Sequence, residues 1–199
     1  AAIFVPFAVL APHGVWETIW GQAERPIQIE SLAGSYLTTF ANPSVIFSHD
    51  SPALAGHGTL AFCSTLAELV VIVVLWVAFA RGPADRDRLL RYSAACVCAF
   101  IAFGKVLSPQ YTIWLVPLVP LVGGRRGLAA CVLLAAAMID TQYWFWQPHY
   151  SDYINEYKYA DLVLARNLAL VALVPLLALP AAATRRTSWR SRTRSPARA

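Results

Sequence analysis

The sequence has little charge, few cysteines and a single methionine. Only 14% of its 199 residues are charged, whereas a soluble domain has about 25%. Hydrophobic residues make up 58% of the chain, which excludes an ordinary soluble domain and predicts an integral membrane protein. The cysteines all lie in apolar stretches, so we interpret them as small membrane residues rather than as a disulfide or metal framework: Cys63, Cys96, Cys98 and Cys131.

The histidines give no indication of a metal site, because none is paired at the i, i+4 spacing of helical metal ligands. No metal or other cofactor is therefore expected. The only methionine is Met138, and no signal peptide can be recognised at the first residues. We expect the chain to be the C-terminal portion of a longer membrane protein.

Apolar runs predict an all-α, polytopic transmembrane bundle. A helix needs about 20 apolar residues to cross a hydrocarbon core of about 30 Å. Runs near this length occur at 61–80, 128–146 and 161–183, and shorter runs at 1–12, 92–107 and 110–122. We count about six spans, the first truncated, in a transmembrane domain over residues 1–183. A basic tail, expected to be disordered, follows at 184–199.

The basic residues lie at alternate ends of these spans, and such an excess marks cytoplasmic loops. Twelve of the 16 basic residues fall in the connection 81–91, in the turn 125–126 and in the C-terminal tail. This predicts a cytoplasmic C-terminus and outer loops at 13–60, 103–110 and 147–160. The orientation signal and contact with membrane lipids account for the net charge of +5, so no nucleic acid is expected as a partner.

The longest outer segment contains a predicted amphipathic helix that lies on the membrane surface. It is expected to begin within 24–32, with Pro26 near its first turn, and to end at Asn42–Pro43. Its predicted apolar stripe is Ile29, Ala33, Tyr36, Leu37 and Phe40, and its polar face is Gln28, Ser31, Ser35 and Asn42. Residues 48–58 are rich in serine, glycine and proline and are interpreted as a mobile loop.

A short polar stretch around Lys105 separates the apolar runs 92–107 and 110–122. Each arm of this hairpin has about 16 residues and reaches about 25 Å as an α-helix. The tip is therefore expected just below the outer membrane surface, where polar backbone must line protein or a wet cavity. Pro117 and Pro120 are expected to kink the second arm.

Two motifs in these segments resemble those of a known family. Arg25-Pro26-Ile27-Gln28-Ile29-Glu30-Ser31 and Lys105-Val106-Leu107-Ser108-Pro109-Gln110-Tyr111 resemble the R-P-x-Q-x-E-S and K-x-x-S-P-Q-Y segments of glycosyltransferase family 87. These are membrane glycosyltransferases of GT-C type, similar to bacterial polyprenyl-phosphate-mannose-dependent mannosyltransferases. The resemblance covers nearly the whole chain except the tail, and it matches the C-terminal half of the family.

The resemblance implies transfer of mannose from a polyprenyl-phosphate donor to a glycolipid or glycan acceptor on the outer face of a bacterial plasma membrane. The catalytic base of the family is a carboxylate in an early outer loop, which is expected upstream of Ala1. The candidate residues for binding the donor phosphate or sugar are Lys105, Ser108, Gln110, Tyr111, Arg25, Gln28 and Glu30.

Several of these residues also have a simpler interpretation. Lys105 is suited to a lipid phosphate, since a lysine offers a compact charge with three donors, but it could instead extend to the headgroups while Ser108 caps a helix. Arg25 and Glu30 could bind substrate or pair with each other. Gln28 could contact a sugar or lie in solvent.

Two other functions remain open at this level. In a secondary transporter, Glu68, Lys105 and Asp140 would be ion or proton sites within the membrane. Glu68 could equally be a structural partner of a polar group on another helix. A noncatalytic membrane scaffold would tolerate replacement of Lys105.

Overall fold

The computed structural model describes residues 5–83, 85–145 and 149–179, and its elements are almost all helical. In chain order they are α1 (Val5–Leu10), α2 (Pro12–Glu24), α3 (Leu32–Phe40), β1 (Val45–Ser48), β2 (Ser51–Leu54), α4 (Gly58–Ala80), α5 (Arg86–Phe103), two 3₁₀-helices (Pro109–Leu115 and Val119–Val122), α6 (Gly124–Phe145), α7 (His149–Glu156) and α8 (Ala160–Ala178). The predicted tail 184–199 lies outside the described residues. The predicted all-α membrane bundle is confirmed.

Three helices are long and apolar enough to cross a membrane: α4, α6 and α8. Most large side chains of α4 are exposed and apolar, among them Phe62, Leu69, Val74 and Trp76. Such a surface would promote aggregation in water but suits contact with acyl chains. The exposed apolar faces thus agree with a membrane protein.

The core lies where α5, α6 and α8 pack against one another. Helix α5 contributes small buried residues, including Ala95, Cys98 and Ala102, to a cluster that α8 completes with Leu170 and Leu173. Small residues let helix backbones approach closely, and the Cys98 thiol donates to the Leu170 carbonyl at 3.3 Å. This packing fixes the end of α5, and therefore the loop that carries Lys105.

The second arm of the predicted hairpin is not an α-helix. Residues 109–122 form two 3₁₀-helices joined by a turn, because Pro117 and Pro120 lack the N–H groups that an α-helix requires. A 3₁₀-helix rises about 2 Å per residue instead of 1.5 Å. The second arm therefore reaches further than predicted. Its length no longer requires the tip to lie below the outer membrane surface.

The predicted start of the amphipathic helix is wrong. Residues 25–31, which we call the crossing segment, are not α-helical. Residues 27–29 lie beside β2, where Leu54 N donates to Ile27 O at 2.9 Å and Ile29 N to Pro52 O at 3.3 Å, and a turn follows in which Ser31 N donates to Gln28 O at 3.1 Å. Helix α3 begins only at Leu32, where the Ser31 hydroxyl accepts from Gly34 N at 3.1 Å. A serine N-cap satisfies a free helix N–H, whereas nothing of this kind is available at Pro26.

The polar side of α3 packs against the protein, and part of its apolar side is exposed. Ser35 and Thr38 are buried, whereas Tyr36 and Phe40 are 55% and 68% exposed. The sequence predicts that this helix lies on the membrane surface, which places its apolar stripe against lipid. In a membrane the polar side needs protein partners, and the apolar side can face lipid.

The predicted mobile loop at 48–58 contains part of a β-hairpin. Strands β1 and β2 are antiparallel, with Val45 opposite Leu54 and Ser48 opposite Ser51. His49 and Asp50 form the turn with φ of 53° and 56°, the left-handed geometry that two-residue hairpin turns favour. The hairpin packs on the crossing segment and forms part of the wall described next.

The ends of the helices that carry basic connections lie together. Arg91 and Arg126 both donate to the carbonyl of Leu179, at 3.2 and 2.6 Å. Arg88 contacts the carbonyls of Ala78 and Phe79 at the end of α4. The connections 81–91 and 123–127 therefore share one end of the bundle with the end of α8, as the sequence predicts. That this end is cytoplasmic stays a prediction.

Candidate functional site

A cavity of about 970 Å³ opens between the end of α2, the hairpin, α4 and the loop after α5. Its walls are largely apolar, with Ile46, Leu54, Phe62 and Phe100 among them. The charged side chains that line it are Glu24, Arg25, Glu68 and Lys105. A mostly apolar cleft with a few convergent charges is typical of a ligand site.

Lys105 is turned into the protein and is only 9% exposed. Its Nζ donates to the carbonyl of Ala23 at 2.5 Å, and its own carbonyl accepts from Gln28 N at 2.9 Å. The pKa of the Lys105 ammonium is lowered mainly by burial; Glu68 opposes this change and Arg25 adds to it. The interpretation in which Lys105 merely extends to the lipid headgroups does not fit this inward orientation.

Gly104 lets Glu68 lie beside the loop that carries Lys105. A Cβ at Gly104 would lie 2.8 Å from Phe100 O and 3.6 Å from Glu68 Oε2, so the backbone and the carboxylate approach closely there. The carboxylate charge acts on Lys105. This arrangement agrees with Glu68 as the partner of a polar group on another element.

Arg25 lines the same cavity and does not pair with Glu30. Its guanidinium makes long hydrogen bonds of 3.4 Å to Gln22 Oε1 and to the carbonyl of His49. The side chain of Glu30 points instead into a separate buried cluster, so the proposed local ion pair is not formed between these two described residues. The structure thus brings together Arg25 and Lys105 from the predicted set.

The other three candidate residues of the second motif, Ser108, Gln110 and Tyr111, do not line this cavity. Ser108 precedes the first 3₁₀-helix, and its carbonyl accepts from Tyr111 N at 2.9 Å. Its hydroxyl makes no capping bond, so the capping interpretation is wrong for the side chain. Gln110 is exposed, and Tyr111 stacks on Trp114 with ring centroids 4.8 Å apart.

Gln28 is buried under the hairpin rather than solvated, with 5% exposure. Its Nε2 donates to Ser51 Oγ at 2.7 Å, while its Oε1 has no partner among the described residues. In this structure Gln28 holds the crossing segment against β2 and does not reach the cavity.

Glu30 belongs to a buried polar cluster on the other side of the crossing segment. Tyr150 donates to its Oε1 at 2.7 Å, and burial raises the pKa of the carboxyl, against the effects of that hydrogen bond and of Arg166. The carbonyl of Glu30 accepts from Arg166 Nη2 at 2.7 Å and from Asn167 Nδ2 at 3.0 Å. The structure therefore separates Glu30 from the two cavity cations.

Arg166 was missed in the sequence analysis, although the signal was present. It lies inside the predicted span 161–183, and a charged residue in a membrane span is a functional candidate by default. It is only 1% exposed, and its guanidinium lies 5.2 Å from the Trp144 ring centroid. Asp140, which a transporter would combine with Glu68 and Lys105, interacts with Arg166 and does not line the cavity.

The chain matches the family Mannosyltransferase (PIG-M) over residues 45–179. It belongs to the PIG-M mannosyltransferase family. The match includes the loop with Lys105 and helix α8 with Arg166, and it begins after the crossing segment. No curated protein and no solved structure matches the chain significantly.

Family membership confirms the expectation of a membrane mannosyltransferase. As a PIG-M family member whose described residues include three helices long and apolar enough to cross a membrane, the protein is a membrane glycosyltransferase that requires a sugar donor and an acceptor. The transporter and scaffold alternatives lose their basis. The narrower resemblance to glycosyltransferase family 87, and to its C-terminal half, stays a prediction.

Proposed function

We propose that the protein transfers mannose from a polyprenyl-phosphate donor to a glycolipid or glycan acceptor at the outer face of a bacterial plasma membrane, with its C-terminus in the cytoplasm. The observation that carries this proposal is the cavity in which Arg25 and Lys105 face apolar walls. A polyprenyl-phosphate sugar needs both features, because its phosphodiester is an anion and its chain is hydrocarbon.

The charges near the loop suit a single phosphodiester. Glu24 accepts a hydrogen bond from Trp20 at 2.5 Å on the exposed side of α2, which leaves Arg25, Lys105 and Glu68 as the inner charges. These two cations and one carboxylate have a net charge of +1, which matches the single negative charge of a phosphodiester. Before the donor binds, Glu68 partly compensates the buried ammonium of Lys105.

The proposed reaction exchanges one bond at the anomeric carbon. An acceptor hydroxyl oxygen forms a bond to that carbon while the bond from the carbon to the phosphate oxygen breaks. The hydroxyl proton passes to a base. The electron pair of the broken bond stays on the polyprenyl phosphate. Lys105 and Arg25 then stabilise the additional negative charge of the leaving group.

The proposal is tested by the class of donor that the enzyme accepts. Membranes from cells that lack the protein, complemented with the natural gene, are supplied with labelled mannose on a polyprenyl phosphate or on a nucleotide. We expect transfer to a glycolipid or glycan from the lipid-linked donor and none above background from the nucleotide, because the apolar walls favour a lipid chain. Transfer from the nucleotide alone would contradict the proposal.

The donor KM is expected to rise at alkaline pH. Donor binding needs the charged form of Lys105, and burial lowers the pKa of this group below its usual value of 10.5. Protein stability should instead increase with pH. The unfolded lysine keeps its proton to a higher pH than the folded one, so the cost of burying the charge is relieved between the lowered pKa and the pKa of the unfolded lysine.

This pH dependence is measured as the donor KM from neutral to alkaline conditions. Lys105→Arg is the control, because an arginine keeps its charge across this range and should move the rise in KM to higher pH. Identical profiles for Lys105→Arg and the unmutated enzyme would show that another group titrates.

A further inference from the structure

The side chains of α7 and α8 hold two consecutive carbonyls of the crossing segment. Tyr153 on α7 donates to Ile29 O at 2.6 Å. On α8, Arg166 Nη2 and Asn167 Nδ2 both donate to Glu30 O, at 2.7 and 3.0 Å. These side chains fix the backbone and not the side chain of Glu30, so the contacts specify where the segment runs.

Asn167 is itself held in place. Its Nδ2 also donates to Ser35 Oγ at 2.8 Å, and Asn167 and Ser35 are both fully buried. The amide therefore connects α8 to the carbonyl at the end of the crossing segment and to the first turns of α3.

The other edge of the crossing segment carries the cavity cations. Gln28 N donates to the carbonyl of Lys105 at 2.9 Å, so the loop after α5 is bonded to the segment. Arg25 begins the segment, and Lys105 Nζ donates to the carbonyl of Ala23, two residues before it. A displacement of residues 28–30 would therefore move both cations.

Burying the Arg166 guanidinium is energetically unfavourable. The side chain is 1% exposed, and its Nε and Nη1 have no hydrogen-bond partner within the described residues. A buried charge with incomplete hydrogen bonding is unfavourable, and an apolar side chain of similar volume would pack at less cost. The arginine is therefore better explained by the carbonyl that it holds than by packing.

We infer that Arg166 and Asn167 are positioning residues of the donor site. By holding the Glu30 carbonyl they fix the crossing segment, and through it they set the positions of Lys105 and Arg25 at the donor phosphate. The inference rests on the proposed function, since it assigns these residues to the same site.

The test combines substitutions at the two ends of this chain of contacts. Arg166→Met and Asn167→Ala are assayed for donor KM and kcat, alone and together with Lys105→Ala. Alone, each is expected to raise the donor KM about 10-fold, which corresponds to about 1.4 kcal/mol, with a smaller change in kcat. In the Lys105→Ala background each should raise KM less than it does alone, because only Arg25 remains of the two cations that they position.

Two further variants separate positioning from loss of structure. Ser35→Ala is a milder change that removes one of the two acceptors of Asn167, and we expect a smaller rise in donor KM in a protein that still inserts. Arg91→Met weakens contacts at the opposite end of α8 and should leave donor KM unchanged. Thermal unfolding of every variant gives the structural baseline.

The possible outcomes distinguish a failure of this inference from a failure of the proposed function. Unchanged donor KM in inserted Arg166, Asn167 and Ser35 variants, or an effect that persists in full without Lys105, would overturn the inference alone. An unchanged donor KM for Lys105→Ala would contradict the proposed function itself.

Discussion

Lys105→Ala is expected to reduce mannose transfer by about 100-fold or more, the usual effect of removing one donor that stabilises charge in a transition state. Lys105 lines the cavity, so its ammonium is available to contact the donor phosphate. Its loss would leave Arg25 as the one cation among the described lining residues. Both donor binding and departure of the polyprenyl phosphate should suffer.

The measurement is transfer of labelled mannose in membranes, normalised to the amount of inserted protein. Lys158→Ala is the matched control: Lys158 is the other lysine of the sequence, and its ammonium pairs with Glu156 at 2.8 Å on the surface. Lys158→Ala should transfer normally, and Lys105→Arg should retain part of the activity because it keeps the charge. Normal transfer by inserted Lys105→Ala would refute the assignment of this cation to the donor.

Gly34→Ala is expected to destabilise the protein by about 3 kcal/mol or more, at the upper end of what overpacking causes. An added Cβ would clash with the carbonyl of Gln28 and would lie 2.8 Å from that of Ile29. The crossing segment cannot yield easily, because Ile29 is bonded to β2 on one side and to Tyr153 on the other. The clash is therefore with backbone that is fixed at both edges.

The effect is measured as thermal unfolding and resistance to proteolysis of the purified protein in detergent. Gly21→Ala on α2 is the matched control, since its added Cβ would meet nothing within 4 Å. It should be neutral or slightly stabilising, because alanine favours a helix by roughly 0.5–1 kcal/mol over glycine. Equal unfolding temperatures for the two variants would show that α3 can move away from the crossing segment.

The membrane helices could be predicted from sequence because hydrocarbon imposes a length and a composition on them. The apolar run 61–80 corresponds to α4 and the run 128–146 to α6, with starts that differ by a few residues. The arm 110–122 was predicted as a span on the same grounds and was wrong in geometry. Hydropathy reports which residues tolerate lipid, and it does not report whether prolines leave enough N–H groups for an α-helix.

The crossing segment could not be predicted because its conformation depends on partners distant in the sequence. Ile27 and Ile29 are buried, and so are the polar residues Gln28 and Glu30 that alternate with them, so burial does not follow a pattern of one apolar face. Its hydrogen bonds are made to β2, to Lys105 and to α7 and α8. Periodicity distinguishes a buried face from an exposed one, whereas residues 27–31 of this segment are all buried.

Part of the candidate site followed from the sequence, because a lone cation between apolar runs is costly unless it has a purpose. That reasoning found Lys105, and Arg25 lies in the same cavity. It could not separate Ser108, Gln110 and Tyr111 from Lys105, since the 3₁₀-helix that begins at Pro109 directs them elsewhere. Neighbours in a motif need not be neighbours in a site.

The arginines of α5 and α6 that lie near the end of α8 have a practical consequence for mapping how the protein is oriented in its membrane. Arg91 and Arg126 are hydrogen-bonded to the end of α8, whereas Arg86 and Arg125 are exposed. Replacing Arg91 or Arg126 with glutamate would remove a hydrogen bond to the end of α8 as well as change the charge of the connection. Reporter fusions that test whether the orientation can be inverted should therefore alter Arg86 and Arg125. Their exposed side chains contribute to the predicted orientation signal without joining the helices.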